Sequence, residues 1–442
     1  MNDAANNLSG PTRWQSPEME ARIRQRYRRE RRFRLFGLGC IGLAGAALVL
    51  LLISVAWAGV TGFTQTRIAL DVYFDPEILD VTPQQAATPE GLETLQRANY
   101  APLVRDSIAG FFGDAVSGRS EIRRLARIIS SGARFQLQDM VLEDPSLVGQ
   151  TQRVWLIADD VVDQFYKGKI DRALPEADRT ISDETIAWVD QLEQAGRLKA
   201  GFNWTFFTSG DSRDPELAGI WGAIKGSFLT LLVTLAVAFP LGVAAAVYLE
   251  EFAPRNRWTD LIEVNINNLA AVPSIVFGLL GLAVLLGTLG LPRSTPLVGG
   301  LTLALMTLPT IIIAARVAIT AVPPSIRDAA MGLGASPMQV VFHHVLPLAM
   351  PGIMTGTIIG MARALGETAP LLMIGMVAFI IDVPQGITDA ATVMPVQIFI
   401  WADSPERAFV EKTSAAIIVL LVFLVLMNAL AVFLRNKLEK RW

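Results

Sequence analysis

The stretch that decides the fold of this chain is residues 326–370, IRDAAMGLGASPMQVVFHHVLPLAMPGIMTGTIIGMARALGETAP. Its first part is a loop in which an acidic residue and two alanines precede a glycine and a Leu-Pro pair. The marked loop positions are Arg327, Asp328, Ala329, Ala330, Gly334, Leu346 and Pro347. Its second part is an apolar helix that carries Arg363 and Glu367. Charged side chains are rare inside membrane helices and usually serve a function there, so we expect the site on this helix.

The composition predicts a membrane protein. The chain has 442 residues, of which 52% are hydrophobic, and this is too apolar for a soluble multidomain enzyme. A helix needs about 20 apolar residues to cross roughly 30 Å of hydrocarbon. We therefore predict an α-helical polytopic membrane protein with six transmembrane helices. The predicted spans are residues 35–60, 220–248, 263–289, 297–320, 350–380 and 413–434.

Basic residues near the span ends predict the orientation, because Lys and Arg are retained on the cytoplasmic side. A basic segment, residues 1–34, precedes the first span, and residues 435–442 after the last span are also basic. Both termini are therefore expected in the cytoplasm, together with the loop of residues 321–349. We interpret the basic segment as an anchor on anionic membrane lipid rather than a nucleic-acid site, because it abuts a span.

The long segment between the first two spans, residues 61–219, is expected outside the cytoplasm as a small mixed α/β domain. Alternating apolar residues predict a strand near residues 67–74, and helical periodicity predicts helices at 91–112, 120–130 and 182–192. Acidic side chains outnumber basic ones in this segment, which would repel an anionic solute. A docking or stabilising role is therefore predicted, rather than substrate binding.

No catalytic site, metal site or bound cofactor is predicted for this chain. The inserted segment has no CxxC, HExxH or P-loop pattern, and the whole chain has no Walker A motif. The adjacent His343 and His344 point to different sides of a helix and have no cysteine or acidic cluster beside them. Cys40, the single cysteine, can form no disulfide within the chain.

The predicted fifth span combines small residues with charge. Glycines repeat at every fourth position, at Gly352, Gly356 and Gly360. This spacing lines one helix face with bare backbone and lets a neighbouring helix approach closely. At 100° per residue Arg363 and Glu367 fall in the same sector, so we expect both charges to face protein rather than lipid. Pro370 cannot donate a hydrogen bond to the carbonyl of Gly366, which predicts a bend or hinge there.

Two interpretations of the Arg363–Glu367 pair remain open at this stage. The pair either holds helices together or belongs to a pathway for an anion. A buried ion pair stabilises poorly once desolvation is counted, which favours the pathway. The guanidinium group is always charged, and its planar fork suits phosphate oxygens. Ser274, early in the third span, is either a further hydroxyl donor to this pathway or a helix-packing serine.

The residues quoted above resemble two patterns of one family. The loop resembles the EAA signature of bacterial ABC importer permeases, with Asp328 where the family usually has Glu. The strings AVPSIVFGLLGLA (271–283) and ARALGETAPLL (362–372) are similar to phosphate-specific ABC importer permeases of the PstA type, and this similarity covers residues 220–434. The family's membrane arginine and its neighbouring acid match Arg363 and Glu367.

The resemblance implies a multi-pass permease of the bacterial inner membrane that transports phosphate by alternating access. The implied partners are a second homologous permease, two ATPase subunits that use ATP, and a periplasmic phosphate-binding protein. The loop of residues 321–349 would then be the contact with an ATPase subunit. Residue by residue, the match assigns this contact to Arg327, Asp328, Ala329, Ala330, Gly334, Leu346 and Pro347.

Three alternatives are weighed against this interpretation. A permease for another oxyanion, such as molybdate or sulfate, is disfavoured by the string ARALGETAP. A signalling receptor with an outer sensor domain should carry a transmitter domain after its last span, and only about eight residues follow Leu434. A secondary transporter would leave the loop of residues 321–349 without a partner.

Overall fold

A computed structural model describes residues 17–113, 116 and 118–438 of the chain. The predictions for residues 1–16 and 439–442 therefore lie outside the described residues. The chain divides into two compact units, Met1–Trp57 and Ala58–Trp442.

Helix α1, Pro17–Gly59, supplies the whole described part of the first unit. One uninterrupted helix carries both the arginine-rich segment and the apolar run that follows it. The helix is long and apolar enough to cross a membrane, as predicted for residues 35–60.

The segment of residues 61–219, called the inserted domain below, contains a three-stranded antiparallel sheet. Its strands are β1 (Thr64–Tyr73), β2 (Thr151–Ile157) and β3 (Leu198–Phe202). The strand order is β2-β1-β3, which makes β1 the central strand. Most side chains of β1 are buried or half-buried, because helices cover the sheet and form one apolar core with it. The predicted mixed α/β domain and its strand near residues 67–74 are confirmed.

Eight described α-helices surround this sheet. Two of them replace the single helix predicted over residues 91–112, because Ala98 is extended and Pro102 begins a new first turn. The predicted helix at residues 182–192 is present, and the Ser182 side chain caps it by accepting a hydrogen bond from the backbone N–H of Thr185. The helices are α2 (Pro76–Leu79), α3 (Pro89–Arg97), α4 (Ala101–Phe112), α5 (Arg119–Leu125), α6 (Ala133–Glu143), α7 (Asp160–Tyr166), α8 (Asp183–Gln194), α9 (Trp204–Thr208) and the short 3-10 turns between them.

The helices after the inserted domain form the membrane part of the fold. Five helices of the described chain, α1 included, are long and apolar enough to cross a membrane, or six if one bent pair counts as a single span. The helices of this part are α10 (Trp221–Val247), α11 (Arg257–Ala270), α12 (Ser274–Leu280), α13 (Pro296–Thr320), α14 (Pro324–Gly332), α15 (Pro337–Val340), α16 (Leu346–Gly366), α17 (Ala369–Met373), α18 (Met394–Ala402) and α19 (Ala408–Leu438).

The predicted span at residues 263–289 corresponds to a bent pair of helices in the structure. The chain bends by 105° between α11 and the apolar helical stretch Ser274–Thr288. The bend lies at Pro273, whose extended backbone (ψ 137°) precedes the first turn of α12. Proline lacks an N–H donor and disfavours helix in the residue before it, which favours a helix break at this position.

The predicted span at residues 350–380 is too long. Helix α16 ends at Gly366, and Glu367 after it is extended, with φ −81° and ψ 113°. Pro370 lies in the first turn of the separate short helix α17 rather than inside a continuous span. The break therefore falls close to the predicted bend, but it ends the helix instead of hinging it.

Helix α13 is the centre of the membrane part, because it packs against both α10 and α16. Glycines on all three helices allow this close approach. A Cβ atom added at Gly300 would lie 2.5 Å from Val233, and one added at Gly242 would lie 2.7 Å from Ile311. Real Cβ atoms do not approach so closely, so these positions require glycine in this packing.

Candidate functional site

The charged pair lies at the carboxyl end of α16. The Nε atom of Arg363 is 3.4 Å from Oε1 of Glu367. The Arg363 side chain is 52% exposed and that of Glu367 is 21% exposed. Arg363 occupies the last turn of α16, where a cation interacts favourably with the helix dipole. In the described part of the chain, no other ion pair involves either residue.

The glycine stripe of α16 packs against α13, as its spacing predicts. A Cβ atom added at Gly352 would lie 2.7 Å from Cβ of Ala318, and one added at Gly356 would lie 2.1 Å from Cβ of Ala314. At Gly360 the nearest atoms are 3.9 Å away. The two antiparallel helices therefore diverge toward the carboxyl end of α16.

This divergence leaves Arg363 on the surface of this chain, so the expectation that it faces protein rather than lipid stays a prediction. No described helix of this chain covers the Arg363 side chain, although it shares the helical sector of the glycines. Gly366, one turn further on, has no atom within 4 Å of a built Cβ in the described structure. The Arg363 guanidinium therefore lies on an exposed face of α16, where an anion or a second subunit can reach it.

Ser274 and Pro370 lie in a neighbouring contact rather than in the charged pair. Helix α12 packs on α17, and a Cβ atom added at Gly278 would lie 2.7 Å from Cα of Pro370. Pro370 is buried in this contact. Ser274, one turn before Gly278, is half-buried, and within the described residues no hydrogen bond joins it to Arg363 or Glu367. Its assignment to the pathway stays a prediction.

The loop of residues 321–349 is shaped by a Schellman turn at the end of α14. The N–H of Ala335 donates to the carbonyl of Ala330 at 3.1 Å, and the N–H of Gly334 donates to that of Met331 at 2.9 Å. Gly334 has φ +89°, the left-handed conformation that such a helix end requires and that favours glycine. A Ser336–Gln339 capping box then starts α15. The turn therefore fixes the angle between two short helices.

Large apolar side chains project from this loop. Leu333 is 90% exposed, and three further side chains on α14, α15 and the turn that follows are about half exposed. These three are Met331, Met338 and Phe342. Asp328 and Ala329 are exposed beside them. An exposed apolar group of this kind, rimmed by polar residues, is typical of a protein interaction site.

Two residues assigned to the ATPase contact also make contacts inside this chain. Ala330 is 7% exposed and belongs to an apolar cluster with residues of α10, α13 and α16. Arg327 pairs with Glu251, with 2.7 Å between Nη2 and Oε1. Leu346 and Pro347 are half-buried in the first turn of α16. The sequence did not indicate which face of α14 packs against this chain and which is exposed, because both faces contain small residues.

An ion network at the end of α10 was missed by the sequence analysis. Glu250 and Glu251 lie in the π-helical turn Tyr248–Phe252 that follows α10. The Nε atom of Arg316 is 2.5 Å from Glu250, and its Nη2 atom is 2.9 Å from Glu263 of α11. Two adjacent glutamates at the end of an apolar helix were the available signal.

A second network joins the inserted domain to the start of α19. The Nζ atom of Lys167 is 2.6 Å from Asp163 and 3.0 Å from Glu411. Glu411 also accepts a hydrogen bond from Gln164 at 2.6 Å. The neighbouring Lys412 is 7% exposed, and its ammonium lies over the Phe206 ring, 5.3 Å from the ring centroid. These charges are nearly all buried, so they tie the domain firmly to α19.

Buried carboxyl groups lie close to this network. Burial, together with the charge of Asp160, raises the pKa of Asp159 to about 7. Burial raises the pKa of Asp160 and of Glu216 as well. Glu216 is 7% exposed and accepts a hydrogen bond of 2.6 Å from the hydroxyl of Ser130. The described residues contain no group of three potential metal ligands, so these carboxyl groups form no evident metal site there.

Asp159→Asn is expected to stabilise the protein at high pH. The folded-state pKa of Asp159, about 7, lies above the ordinary pKa of 3.8 for an aspartate, so the native protein loses stability as pH rises through this window. Asparagine removes this penalty and can still accept the hydrogen bond from the N–H of Val161. We expect a gain of roughly 2 kcal/mol in the free energy of unfolding at pH 8 and almost none at pH 4.

Thermal unfolding of the purified chain at the two pH values measures this difference. Asp171→Asn is the matched control, because the Asp171 side chain is exposed and also accepts a backbone hydrogen bond, from Ala173. A gain of the same size at pH 4 and pH 8 would contradict the prediction.

The features described so far define a class of protein. The chain is a polytopic helical membrane protein with a charged pair on an open face of one span. It also has a two-helix loop that presents apolar side chains. This combination is that of a polytopic membrane protein with an exposed surface that suits a protein partner.

Comparison with known proteins gives the family. The model of the "Binding-protein-dependent transport system inner membrane component" family matches residues 238–442, and that of "Domain of unknown function (DUF3333)" matches residues 20–176. The phosphate transport system permease protein PstA 1 of Mycobacterium tuberculosis is 30% identical over 238 residues, which cover 54% of this chain and 77% of the relative. The PstA of Yersinia pestis is 31% identical, over 50% and 74% respectively. This chain therefore belongs to the PstA-type family of ABC importer permeases.

A solved structure of the inward-facing MetNI methionine ABC transporter is also similar. It is 17% identical in sequence, and the match covers 50% of this chain and 95% of that one with a TM-score of 0.40.

Proposed function

We propose that this chain is the permease subunit of an ATP-driven phosphate importer in the bacterial inner membrane. Relatives from Mycobacterium tuberculosis and Yersinia pestis are named phosphate transport system permeases. The observation that carries the proposal is the half-exposed guanidinium of Arg363 on an open face of α16. A guanidinium binds tetrahedral oxyanions through two parallel hydrogen bonds, and no titration removes its charge near neutral pH.

The proposed assembly contains a second homologous permease, two ATPase subunits and a periplasmic phosphate-binding protein. The loop of residues 321–349 supports an ATPase contact, because its exposed apolar side chains need a partner surface. The pairs Arg316–Glu250 and Arg327–Glu251 bring this loop and the turn after α10 to the same end of the molecule. Arg255 and Arg257 follow this turn, and Arg316 and Arg327 lie beside and in the loop. Basic residues at span ends favour the cytoplasmic side, which supports a cytoplasmic position for the loop and for both termini.

In the proposed mechanism, the binding protein delivers phosphate at the outer mouth. Closure of the ATPase subunits moves the loop of residues 321–349, the spans tilt, and phosphate reaches Arg363. Between transport events Glu367 pairs with Arg363. Their contact of 3.4 Å is long and therefore weak, so phosphate can displace the Glu367 carboxylate. Binding has to stay weak, because a tightly held anion would not be released. The chain itself catalyses no covalent step, and the partner subunits hydrolyse the ATP.

The inserted domain is proposed to be an accessory module that stabilises or docks rather than a substrate receptor. Its buried contacts with Glu411 and Lys412 support a stabilising role at the start of α19. Its excess of acidic side chains is unfavourable for anion capture.

Uptake by the reconstituted complex tests the proposed function. Proteoliposomes with the co-purified subunits should accumulate radiolabelled phosphate only when ATP and the binding protein are both present. Unlabelled sulfate and molybdate in excess test the alternative oxyanions, since Arg363 alone does not discriminate between tetrahedral anions. Inhibition by molybdate or sulfate, but not by phosphate, would contradict the proposal. Purification of the chain without any ATPase subunit would contradict the whole class.

A further inference from the structure

The turn after α10 holds two adjacent carboxylates that pair with arginines from different elements. Glu250 pairs with Arg316 of α13, and Glu251 pairs with Arg327 of α14. The side chain of Glu251 is 12% exposed and that of Arg327 is 21% exposed. Solvent and salt screen such sheltered ion pairs less than surface pairs. The attraction between the two side chains is therefore stronger, and a movement of one element is transmitted to the other.

Arg327 binds three elements at once. Its guanidinium contacts both carboxylate oxygens of Glu251, with Nη2 to Oε1 at 2.7 Å and Nε to Oε1 and Oε2 at 3.2 and 3.4 Å. It also donates to the carbonyl of Val322 at 2.6 Å and to that of Ile319 at 3.0 Å. These carbonyls lie at the end of α13, where backbone acceptors lack helical partners. One planar fork therefore joins α14, the end of α13 and the turn after α10.

The rest of α14 has a different role. Ala330 packs into the apolar cluster beneath the loop, while Met331 and Leu333 project outward. A non-directional apolar contact allows sliding, whereas five N–H donors in a rigid fork fix both distance and angle. A force applied to the exposed side of the loop is therefore carried most directly by Arg327.

We propose that Arg327 and Glu251 form the joint that passes movement of the loop of residues 321–349 to α10 and α13. This inference rests on the proposed function, because it assumes that a partner ATPase moves the loop. Arg327 is then a positioning residue for transport: it touches neither the ATPase nor the transported anion.

The adjacent glutamates provide a matched pair of variants. Glu251→Gln breaks the joint with α14, whereas Glu250→Gln breaks a comparable pair that stays among α10, α11 and α13. In the reconstituted complex, Glu251→Gln should lower phosphate transported per ATP hydrolysed by about tenfold, a change typical of lost coupling between sites. Glu250→Gln should leave this ratio within about twofold, although thermal stability falls similarly in both variants.

Two further variants sharpen the test. Arg327→Lys keeps the charge but cannot reach the carboxylate and both carbonyls together, so it should also lower the ratio. The exchange Arg327→Glu with Glu251→Arg restores the charge pair but not the caps on α13, and should recover the ratio only partly. Equal losses in Glu250→Gln and Glu251→Gln would overturn the joint, and so would an unchanged ratio in Glu251→Gln.

Hydrogen exchange gives a readout that does not depend on the transported solute. Nucleotide trapped on the native complex should change protection of the backbone at residues 248–252 as well as in the loop. In Glu251→Gln the change should remain in the loop and disappear from the turn. If the native complex shows the linked change but transports no phosphate, the proposed function fails and the joint stands. If the native complex transports phosphate and the turn responds equally in Glu251→Gln, the joint hypothesis is rejected and the proposed function stands.

Discussion

Phosphate uptake is expected to be lost in Arg363→Gln while the complex still assembles. Glutamine keeps hydrogen-bonding capacity but removes the permanent charge, and loss of a hydrogen-bonded charge partner costs roughly 2–5 kcal/mol, so uptake should fall by about 30-fold or more. Assembly should survive, because the Arg363 side chain is 52% exposed and its contact with Glu367 is long. Arg363→Lys retains the charge without the fork and should transport poorly. ATP-dependent uptake of radiolabelled phosphate into proteoliposomes compares the native complex with these two variants.

The double variant Arg363→Gln with Glu367→Gln separates the two roles of the pair. If Arg363 only neutralises Glu367, the double variant leaves no unpaired charge and uptake should recover. If Arg363 binds phosphate, uptake stays lost. Arg435→Gln is a suitable control, because Arg435 also contacts α16, through the hydroxyl of Thr355 at 3.4 Å, but does so at the middle of that helix, eight residues before Arg363. Recovered uptake in the double variant would end the pathway assignment.

Gly334→Val is expected to uncouple ATP hydrolysis from uptake. Gly334 has φ +89°, and a left-handed conformation costs a residue with a side chain roughly 1–2 kcal/mol, more when it is β-branched. The Schellman turn should therefore open and change the angle between α14 and α15, which displaces the exposed apolar side chains. We expect uptake per ATP to fall about tenfold while membrane insertion remains normal. Parallel assays of phosphate uptake and ATP hydrolysis measure this ratio.

Gly332→Ala is the matched control for this prediction. Gly332 lies two residues earlier, inside α14, and a Cβ atom there meets no neighbour within 4 Å in the described structure. Alanine is a better helix former than glycine, so this variant should couple normally. Normal uptake by Gly334→Val, or equal losses in both variants, would contradict a role for the turn geometry.

The loop of residues 321–349 shows which structural features the local sequence predicts and which it does not. The glycine at position 334 marks, in the sequence, the turn that separates α14 from α15 in the structure. The sequence did not tell which side of α14 faces the chain's own core. Ala329 is exposed and Ala330 is buried, although both are alanine. Such a choice depends on the neighbouring helices and not on the residue itself.

The membrane spans show the same limit of sequence-based prediction over longer segments. Hydropathy located each helix of the described residues that is long and apolar enough to cross a membrane, because this property requires length and apolarity alone. It did not locate the 105° bend at Pro273 or the end of α16 at Gly366. A proline or glycine in an apolar run is tolerated in many membrane helices when neighbours satisfy the freed backbone groups. Whether the helix continues is therefore decided by those neighbours.

By itself, the sequence determined the membrane class, the helical spans, the mixed α/β nature of the inserted domain and the i, i+4 spacing of Arg363 and Glu367. Periodicity, apolar length and short-range spacing encode these features, and they act within one element. Only the tertiary structure decided that α13 and α16 diverge and leave Arg363 open, and that Arg327 meets Glu251, 76 residues earlier in the chain. Both depend on the packing of separate helices, and side chains distant in sequence meet only once that packing is complete.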